Sequence, residues 1–246
     1  MHCKPHTIVD KIRSTANFRG EVVELRSVVF DCDGVLIDTI SSWRIIHEHF
    51  GTNSGPMLDQ FLKGGISDED FMADDIRHWK SVQSEIHRDE LMRCYQGVSL
   101  NPGARELVDA LKDRGINVSI VSAGVDLLIG SIAQMLKVDD WASNGFQYCE
   151  DGFLQDEGIV RVPAHDKSIM VEKLCRINGF TPQQVCSVGD NHTDLSMMIP
   201  GSRFIGFNPS KEMAFNGFRK AGVPIVEGND CRNLWPHLFS GEQFPE

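Results

Sequence analysis

Two aspartates, Asp31 and Asp33, directly follow a short apolar run in the stretch VVFDCDGVLIDT, residues 28–39. A run of β-favouring residues that leads into an acidic, glycine-containing turn is typical of the end of a buried strand. Two carboxylates at such a position either cap a turn or a helix, or bind a cation and act on a substrate. Other loops of the chain favour the second interpretation.

Two later apolar runs also end in small or polar residues. NVSIVSAG ends in Ser-Ala-Gly at residues 122–124, and QVCSVGD leads into GDNHTD at residues 189–194. In a parallel sheet, the carboxyl ends of the strands meet at one edge, and ligands bind there. We therefore expect the following side chains to converge: Asp31, Asp33, Ser122, Asp190 and Asp194.

Such a cluster has a definite chemistry. Crowded carboxylates repel one another, so that some are protonated or a cation lies among them. Oxygen ligands without histidine or cysteine suit a hard ion, for which Mg²⁺ is the natural candidate. Lys167, at the start of a predicted helix, supplies a further cation, while Ser122 and the backbone N–H groups of residues 122–124 can donate to phosphate oxygens.

A carboxylate beside a metal is a competent nucleophile toward phosphorus, because the metal screens the repulsion between the two anions. A second acid two residues further along can protonate the leaving alcohol and then deprotonate the water that resolves the acyl phosphate. The spacing of Asp31 and Asp33 suits these two roles.

The elements that position these loops alternate between strand and helix after residue 101. NPGARELVDALKDRG predicts a helix that stops at Gly115, and DKSIMVEKLCRING predicts another that stops at Gly179. Repeated strand–helix–strand units imply an α/β fold, a doubly wound parallel sheet with helices on both faces. Residues 143–162 are turn-rich and alternating, and we interpret them as a β-hairpin.

A different pattern separates the first strand from these units. Residues 39–100 are rich in charge and contain helical stretches but no good buried strand, which predicts a small helical cap. We expect its histidines at solvated helix positions: His47, His49, His78 and His87. The chain is accordingly divided into an N-terminal extension (1–26), an α/β core (27–38 and 101–246) and the cap (39–100).

Composition limits the partners. The chain has 24 Lys and Arg against 35 Asp and Glu, a net charge of −11, and we find no basic cluster that would attract nucleic acid or anionic lipid. No apolar run approaches the ~18–20 residues of a membrane-spanning helix, and the N-terminus lacks the apolar segment of a secretory signal. Seven scattered cysteines without a C-x-x-C pair suggest neither disulfides nor zinc. We predict a cytoplasmic protein and leave homo-oligomerisation open.

Four motifs in order resemble those of the haloacid dehalogenase superfamily of phosphohydrolases. They are DCDGVL, VSIVSAG, the helix-starting Lys167 and GDNHTD. The resemblance implies a Rossmann-like core in which Asp31 is the nucleophile and Asp33 the general acid/base. An aspartate at position 33 favours phosphatase or phosphomutase chemistry, because dehalogenases and ion-pumping ATPases of the superfamily lack it.

The resemblance also implies the ligand contacts. Mg²⁺ would be held by the side chains of Asp31 and Asp190 and by the backbone carbonyl of Asp33, with Asp194 supporting that shell. Ser122 and Lys167 would bind the transferring phosphoryl group of a small phosphorylated metabolite.

The finer match is to the phosphoserine phosphatase-like branch, through the Ser-Ala-Gly turn, GDNHTDLSMM and a helical insert that agrees with the small four-helix cap of that branch. Two positions depart from that branch, since Ile40 stands where a glutamate binds the substrate ammonium and Thr193 stands where an asparagine is usual. Arg77 is the nearest candidate for the cap arginine that meets the substrate carboxylate. The substrate-binding set comprises Arg77, Ser122, Ala123, Lys167 and Thr193.

Two other functions stay open at this point. A phosphomutase or phosphotransferase would pass the phosphoryl group from Asp31 to another hydroxyl with nearly the same motifs. A regulatory homologue would keep the fold without turnover.

Overall fold

In residues 23–245, which this computed structural model describes, seven strands form one sheet in the order β4-β3-β2-β1-β5-β6-β7. The strands are β1 Ser27–Phe30, β2 Asn117–Val125, β3 Asp140–Tyr148, β4 Leu154–Ile159, β5 Val185–Gly189, β6 Arg203–Phe207 and β7 Ile225–Val226. Neighbouring strands pair in parallel except β3 and β4, which are antiparallel. The predicted α/β fold is confirmed.

The hairpin interpretation is correct but incomplete. β3 and β4 do form an antiparallel pair, with Gly145 opposite Ile159 and Tyr148 opposite Leu154. The first residues of β3 also pair in parallel with β2, so the hairpin extends the central sheet and makes it mixed. The sequence does not predict the start of β3, because its residues 140–142, Asp-Trp-Ala, form no continuous apolar run and are all at least partly exposed.

Helices cover both faces of the sheet. In chain order they are α1 Ser42–Phe50, α2 Gly55–Leu62, α3 Asp68–Val82, α4 Arg88–Cys94, α5 Ala104–Asp113, α6 Asp126–Leu136, α7 Ser168–Asn178, α8 Glu212–Ala221 and α9 Trp235–Leu238. Successive side chains of a strand point to opposite faces. Val28 and Phe30 accordingly join a core with α5, α6 and α9, whereas Val29 joins a second core with α7 and α8.

Helices α1 to α4 lie within the predicted cap. α1 begins where the Ser41 hydroxyl accepts a hydrogen bond from the backbone N–H of Arg44. The cap buries Ile46, Ile76 and Trp79, which belong to the same hydrophobic cluster as one face of the sheet. The cap therefore packs on the core over apolar surface, while the exact domain boundaries stay a prediction, and residues 1–22 of the predicted extension lie outside the described residues.

Candidate active site

The central strands bring the predicted loops to one edge of the sheet. Phe30 at the end of β1 pairs with Ile120 of β2 on one side and with Val188 of β5 on the other. Residues that follow these three positions therefore emerge side by side. The expected convergence is present, since one cavity is lined by Asp31, Asp33, Ser122, Ala123, Lys167, Asp190, Thr193 and Asp194.

A buried ammonium links two of the carboxylates. The Nζ atom of Lys167 lies 2.9 Å from Oδ1 of Asp31 and 2.7 Å from Oδ1 of Asp194. Burial alone would lower the pKa of Lys167, but the charges of Asp194 and Asp31 more than offset it, so that the pKa is raised. Lys167 is therefore a permanent cation beside Asp31.

The carboxylates are crowded in spite of this lysine. Asp31, Asp190 and Asp194 each offer an oxygen atom within 4.8 Å of the other two. Burial, with Lys167 opposing it and Asp194 and Asp33 adding to it, raises the pKa of Asp31 to about 7. Burial also raises the pKa of Asp190 well above its ordinary value, and the charges of Asp194 and Asp31 raise it further. This is the electrostatic signature of a site that a further cation would stabilise.

The oxygens of this cluster are not equally engaged. Both oxygens of Asp194 are engaged, since Oδ1 accepts a hydrogen bond from the ammonium of Lys167 and Oδ2 accepts one of 2.8 Å from the backbone N–H of Asn191. Within residues 23–245, the Asp190 carboxylate meets no hydrogen-bond donor. Asp190 and Asp31 thus hold the oxygens best placed for a metal, and Asp194 orders the residues around them.

Asp33 is held by the first residue of the cap. Its Oδ2 atom accepts hydrogen bonds from both the backbone N–H and the hydroxyl of Ser42, each at 2.7 Å. The Ser42 hydroxyl in turn accepts from the backbone N–H of Val125, at 2.9 Å. Burial raises the pKa of Asp33, and the two Ser42 hydrogen bonds oppose that rise. The Oδ1 atom of Asp33 is buried without a hydrogen-bond partner in the described part of the chain, which leaves it available to a substrate.

Glycines permit this close packing. Gly34 has φ +76°, and a Cβ atom built there would lie 2.6 Å from Oδ2 of Asp190. A Cβ atom on Gly124 would lie 2.7 Å from Oγ of Ser42 and 3.0 Å from Oδ2 of Asp33. A side chain at either glycine would displace a carboxylate, so these two positions belong to the site although they carry no functional group.

The Ser-Ala-Gly turn is fixed from two sides. The Ser122 hydroxyl accepts a 3.1 Å hydrogen bond from the backbone N–H of Gly124. The carbonyl of Ala123 accepts from the indole N–H of Trp43 at 3.0 Å and from the side-chain amide of Asn144 at 3.3 Å. Cap and core therefore both orient the turn that was predicted to bind phosphate.

Thr193 lies in the short 3₁₀ helix His192–Met197 that follows β5. Its carbonyl accepts from the Ser196 hydroxyl at 2.7 Å, and that hydroxyl accepts from the backbone N–H of Lys167 at 3.0 Å. The loop that carries Asp194 is thereby joined to the start of α7, where Lys167 stands. This connection explains how a lysine distant in sequence reaches Asp31.

The cavity encloses about 630 Å³ between this edge of the sheet and helices α1 to α3 of the cap. Its core end is polar. Its cap end combines an apolar and aromatic wall with polar side chains from α1 and the segment that follows it, and Ile40, which is 56% exposed, lies at its rim.

Arg77 is not among the residues that line this cavity, and its contact with a substrate stays a prediction. Its side chain is 72% exposed, and its guanidinium lies 2.8 Å from Oδ1 of Asp74 on the same helix. Arg77 belongs to the solvent-facing side of α3, whereas Phe71 and Met72 of that helix line the cavity. The helical phase of α3, which an approximate spacing along the sequence does not fix, decides which of its side chains face the cavity.

One of the four cap histidines is not at the solvated position that was predicted for it. His47 is buried, with Nε2 2.9 Å from Oδ1 of Asp75, and the indole N–H of Trp79 donates to its Nδ1 atom at 3.1 Å. His47 thus ties α1 to α3, whereas His49 and His78 are partly exposed as expected.

Sequence reasoning missed several residues that shape the site: Ser42, Trp43, Asn144 and Asn191. Ser42 follows Ser41 just before an apolar run, a pattern that marks a helix start but not a contact with Asp33. Asn144 had no local signal, since its role depends on β3 joining the sheet beside β2.

Comparison with known proteins agrees with this geometry. The family model of haloacid dehalogenase-like hydrolases matches residues 25–200. The phosphoserine phosphatase of Archaeoglobus fulgidus is 28% identical over 187 residues, 75% of this chain, although the chain spans only 53% of that protein. The phosphoserine phosphatase of Wolinella succinogenes is 24% identical over 216 residues, which cover 87% of this chain and all of the relative.

A solved structure shares the fold. A phosphoserine phosphatase determined as an analogue of its phospho-aspartyl intermediate has a TM-score of 0.72 to this chain at 22% identity, with 87% of this chain and 99% of the other covered. In the part of the chain described here, no helix has the length and apolar character needed to cross a bilayer.

The chain belongs to the haloacid dehalogenase-like hydrolase family, as the four motifs indicated. Within that family it is phosphoserine phosphatase-like. The predicted enzyme class, a phosphatase, is confirmed at the level of the family and its named relatives.

Proposed function

We propose that the protein is a Mg²⁺-dependent phosphomonoesterase that hydrolyses a small phosphorylated metabolite through a phosphoryl group on Asp31. One observation carries this proposal. The Asp31 carboxylate is buried 2.9 Å from a lysine ammonium, within 4.8 Å of the Asp190 oxygen, and two residues from a carboxyl group that the cap holds in place.

The residues present fit a magnesium ion. Three carboxylates and one ammonium leave an excess of negative charge, and the donor set consists of oxygen atoms alone. Asp31 and Asp190 would hold the ion with the backbone carbonyl of Asp33, and Asp194 would keep Lys167 and Asn191 in place around them. When bound, Mg²⁺ supplies positive charge that neutralises the phosphoryl oxygens and reduces their repulsion toward Asp31.

In the first half-reaction, a carboxylate oxygen of Asp31 forms a bond to phosphorus while the ester P–O bond breaks. Asp33, in its protonated form, gives its proton to the departing oxygen. Burial raises the pKa of Asp33, which favours that form. Lys167 and the Ser122 hydroxyl lie where they can bind phosphoryl oxygens.

In the second half-reaction, the Asp33 carboxylate removes a proton from water, whose oxygen bonds to phosphorus as the bond to Asp31 breaks. Inorganic phosphate leaves, and Asp33 is again protonated for the next turnover. The net change is one ester and one water converted into one alcohol and one phosphate.

Phosphate release from a panel of phosphorylated metabolites, with and without Mg²⁺, tests the proposal. We expect release that requires Mg²⁺ and is absent in chelator. Isomerised sugar phosphate without released phosphate would instead identify a phosphomutase, and no turnover with any ester would favour a regulatory homologue.

Thermal unfolding adds a readout independent of turnover. Ligands that bind the folded state alone raise the unfolding temperature. We expect Mg²⁺ to raise it in the parent protein and not in Asp190→Asn. A location in the cytoplasm is part of the same proposal, supported by the six described cysteines, which are all free.

A further inference from the structure

The two ends of the cavity suit chemically different parts of a substrate. At the core end, charged and hydroxyl groups suit a phosphoryl group. At the cap end, six apolar or aromatic side chains form one wall, namely Trp43, Leu58, Phe61, Leu62, Phe71 and Met72. Polar and charged side chains of the cap line the rest of that end: Ser41, Arg44, His47, Glu48, Thr52, Asn53, Ser54 and Asp68. Phe61 and Phe71 are stacked with ring centroids 4.4 Å apart, so this wall is preformed.

Contacts with the core hold that wall over the catalytic groups. The carbonyl of Phe61 lies 2.7 Å from Nε2 of His165, and the backbone N–H of Ala164 donates to Oδ1 of Asp68 at 2.9 Å. Both core residues precede Lys167 by only a few positions. The apolar wall is therefore continuous with the catalytic site, and the group bonded to the phosphoryl oxygen must lie against it.

The charged residues at the cap end already have partners. Nε of Arg44 lies 2.7 Å from Oε1 of Glu48, and these two side chains are 65% and 61% exposed. Asp68 is engaged by Ala164, as described above. Among the described residues that line this end, no buried charge awaits the ammonium or the carboxylate of an amino acid.

The size of the cavity also favours a large apolar leaving group. A cavity of about 630 Å³ falls in the range of about 300–1,000 Å³ that is typical of pockets for drug-sized ligands. The three-carbon body of phosphoserine would leave much of the apolar wall in contact with water. A larger apolar body would bury it and gain binding free energy.

We propose that the leaving group of the substrate is an uncharged, predominantly apolar alcohol about as large as a phenylalkyl group. This inference rests on the proposed phosphatase function and names its substrate class. It differs from what the relatives' names state, since those relatives are phosphoserine phosphatases.

Esters of primary alcohols test it, because their leaving oxygens are chemically similar and their bodies differ. The probes are ethyl phosphate, 2-phenylethyl phosphate, ethanolamine phosphate and O-phospho-L-serine, and kcat/KM is measured for each with Mg²⁺. A single methylene in an apolar pocket is worth about 10–200-fold, so we expect 2-phenylethyl phosphate to exceed ethyl phosphate and O-phospho-L-serine by at least about 100-fold. Equal or higher kcat/KM for O-phospho-L-serine would overturn the inference.

A matched pair of variants locates the effect. Leu58 lines the cavity and Met92 does not, yet they are 41% and 43% exposed on cap helices, so glutamine at either position should leave the fold intact. Leu58→Gln should reduce the ratio of kcat/KM for 2-phenylethyl phosphate to that for ethyl phosphate by about 10-fold. That factor is the smallest effect expected from one methylene in an apolar pocket, about 10-fold in kcat/KM. Met92→Gln should leave that preference unchanged. The same loss in both variants, or in neither, would contradict the assignment of this wall to the leaving group.

p-Nitrophenyl phosphate separates this inference from the proposed function. Its leaving group departs without protonation, so its hydrolysis reports phosphoryl transfer itself. Turnover of p-nitrophenyl phosphate together with a preference for O-phospho-L-serine would overturn the inference alone. No Mg²⁺-dependent turnover of any of the five esters would overturn the phosphatase proposal.

Discussion

The edge of the sheet and the wall of the cap face each other across one cavity but are stabilised by different forces. At the edge, Lys167 is almost fully buried and its ammonium contacts two carboxylates, at 2.9 and 2.7 Å. At the wall, aromatic stacking and apolar packing dominate, and charged residues such as Arg44 remain exposed. Under the proposed function, the edge would carry the reaction and the wall would select the substrate.

The two regions should therefore respond differently to mutation. Changes at the edge should alter kcat for every phosphate ester, because each ester presents the same phosphoryl group. Changes at the wall should alter kcat/KM selectively, because leaving groups differ in how much apolar surface they bury.

The largest effect is expected for Asp31→Asn. The amide barely changes volume but is no longer a nucleophile, so kcat should fall by at least about 10³-fold for all esters. Circular dichroism and thermal unfolding check that the fold is kept. Asp109→Asn, at an exposed position of α5, is the matched control and should retain full activity. Normal turnover in Asp31→Asn would show that Asp31 is not the nucleophile.

The next largest effect is expected for Lys167→Ala, compared with Lys80→Ala. Removing one partner of a buried ion pair destabilises a protein by about 3–5 kcal/mol, whereas an exposed pair contributes about 0–1 kcal/mol. Lys167 pairs with two buried carboxylates, while the partner of Lys80 is the exposed Asp156. Denaturant unfolding should show that difference, and phosphate release should be lost only in Lys167→Ala. Equal losses of stability would show that the edge is not the more tightly coupled region.

A smaller effect is expected for Ser42→Ala, at the junction of the two regions. The variant removes one of the two hydrogen bonds to Oδ2 of Asp33 and leaves the backbone N–H bond in place. General acid catalysis is worth about 10²–10⁴-fold, so partial misplacement of Asp33 should reduce kcat/KM for alkyl phosphates by about 10-fold.

Comparing alkyl phosphates with p-nitrophenyl phosphate distinguishes misplacement of Asp33 from a general structural defect. kcat/KM for p-nitrophenyl phosphate should change little, because its first step needs no proton from Asp33. Ser81→Ala is the matched control, because it removes an exposed cap hydroxyl that donates a hydrogen bond to the carbonyl of His78. It should change kcat/KM neither for alkyl phosphates nor for p-nitrophenyl phosphate. A uniform loss for alkyl and aryl esters would point to a general structural defect instead.

The smallest effect is expected for Arg77→Ala. Its guanidinium contacts Asp74 at the surface and lies outside the cavity. Exposed ion pairs contribute about 0–1 kcal/mol, so stability should change by no more than that. kcat and KM should stay within about 2-fold of the parent values, because Arg77 lines no part of the cavity and its removal leaves binding of the ester unchanged. A marked rise in KM would show that the cap rotates to bring Arg77 to the substrate.

The contrast between the regions also explains what the sequence could reveal. At the edge, each function needs a particular residue type, so carboxylates and a lysine after predicted strands could be recognised, and Asp31, Asp33, Lys167 and Asp190 do share one cavity. The convergence of these loops then follows from the parallel pattern, because the carboxyl ends of parallel strands meet at one edge.

At the wall, many apolar residues serve equally well, and only their three-dimensional phase decides which ones face the cavity. That is why the exposure of Arg77 and the burial of His47 beside Asp75 were not foreseen. Ser42 was missed for a related reason, since its contact with Asp33 depends on how the cap returns to the sheet.

Trapping the covalent intermediate tests the central claim most directly. The enzyme is mixed with Mg²⁺ and its best ester, quenched during turnover and treated with borohydride, which reduces an acyl phosphate to an alcohol. Peptide sequencing by mass spectrometry should find homoserine at position 31, and Asp31→Asn should yield none. Reduction at another aspartate, or a phosphoryl group on a serine or histidine, would contradict the claim that Asp31 attacks phosphorus.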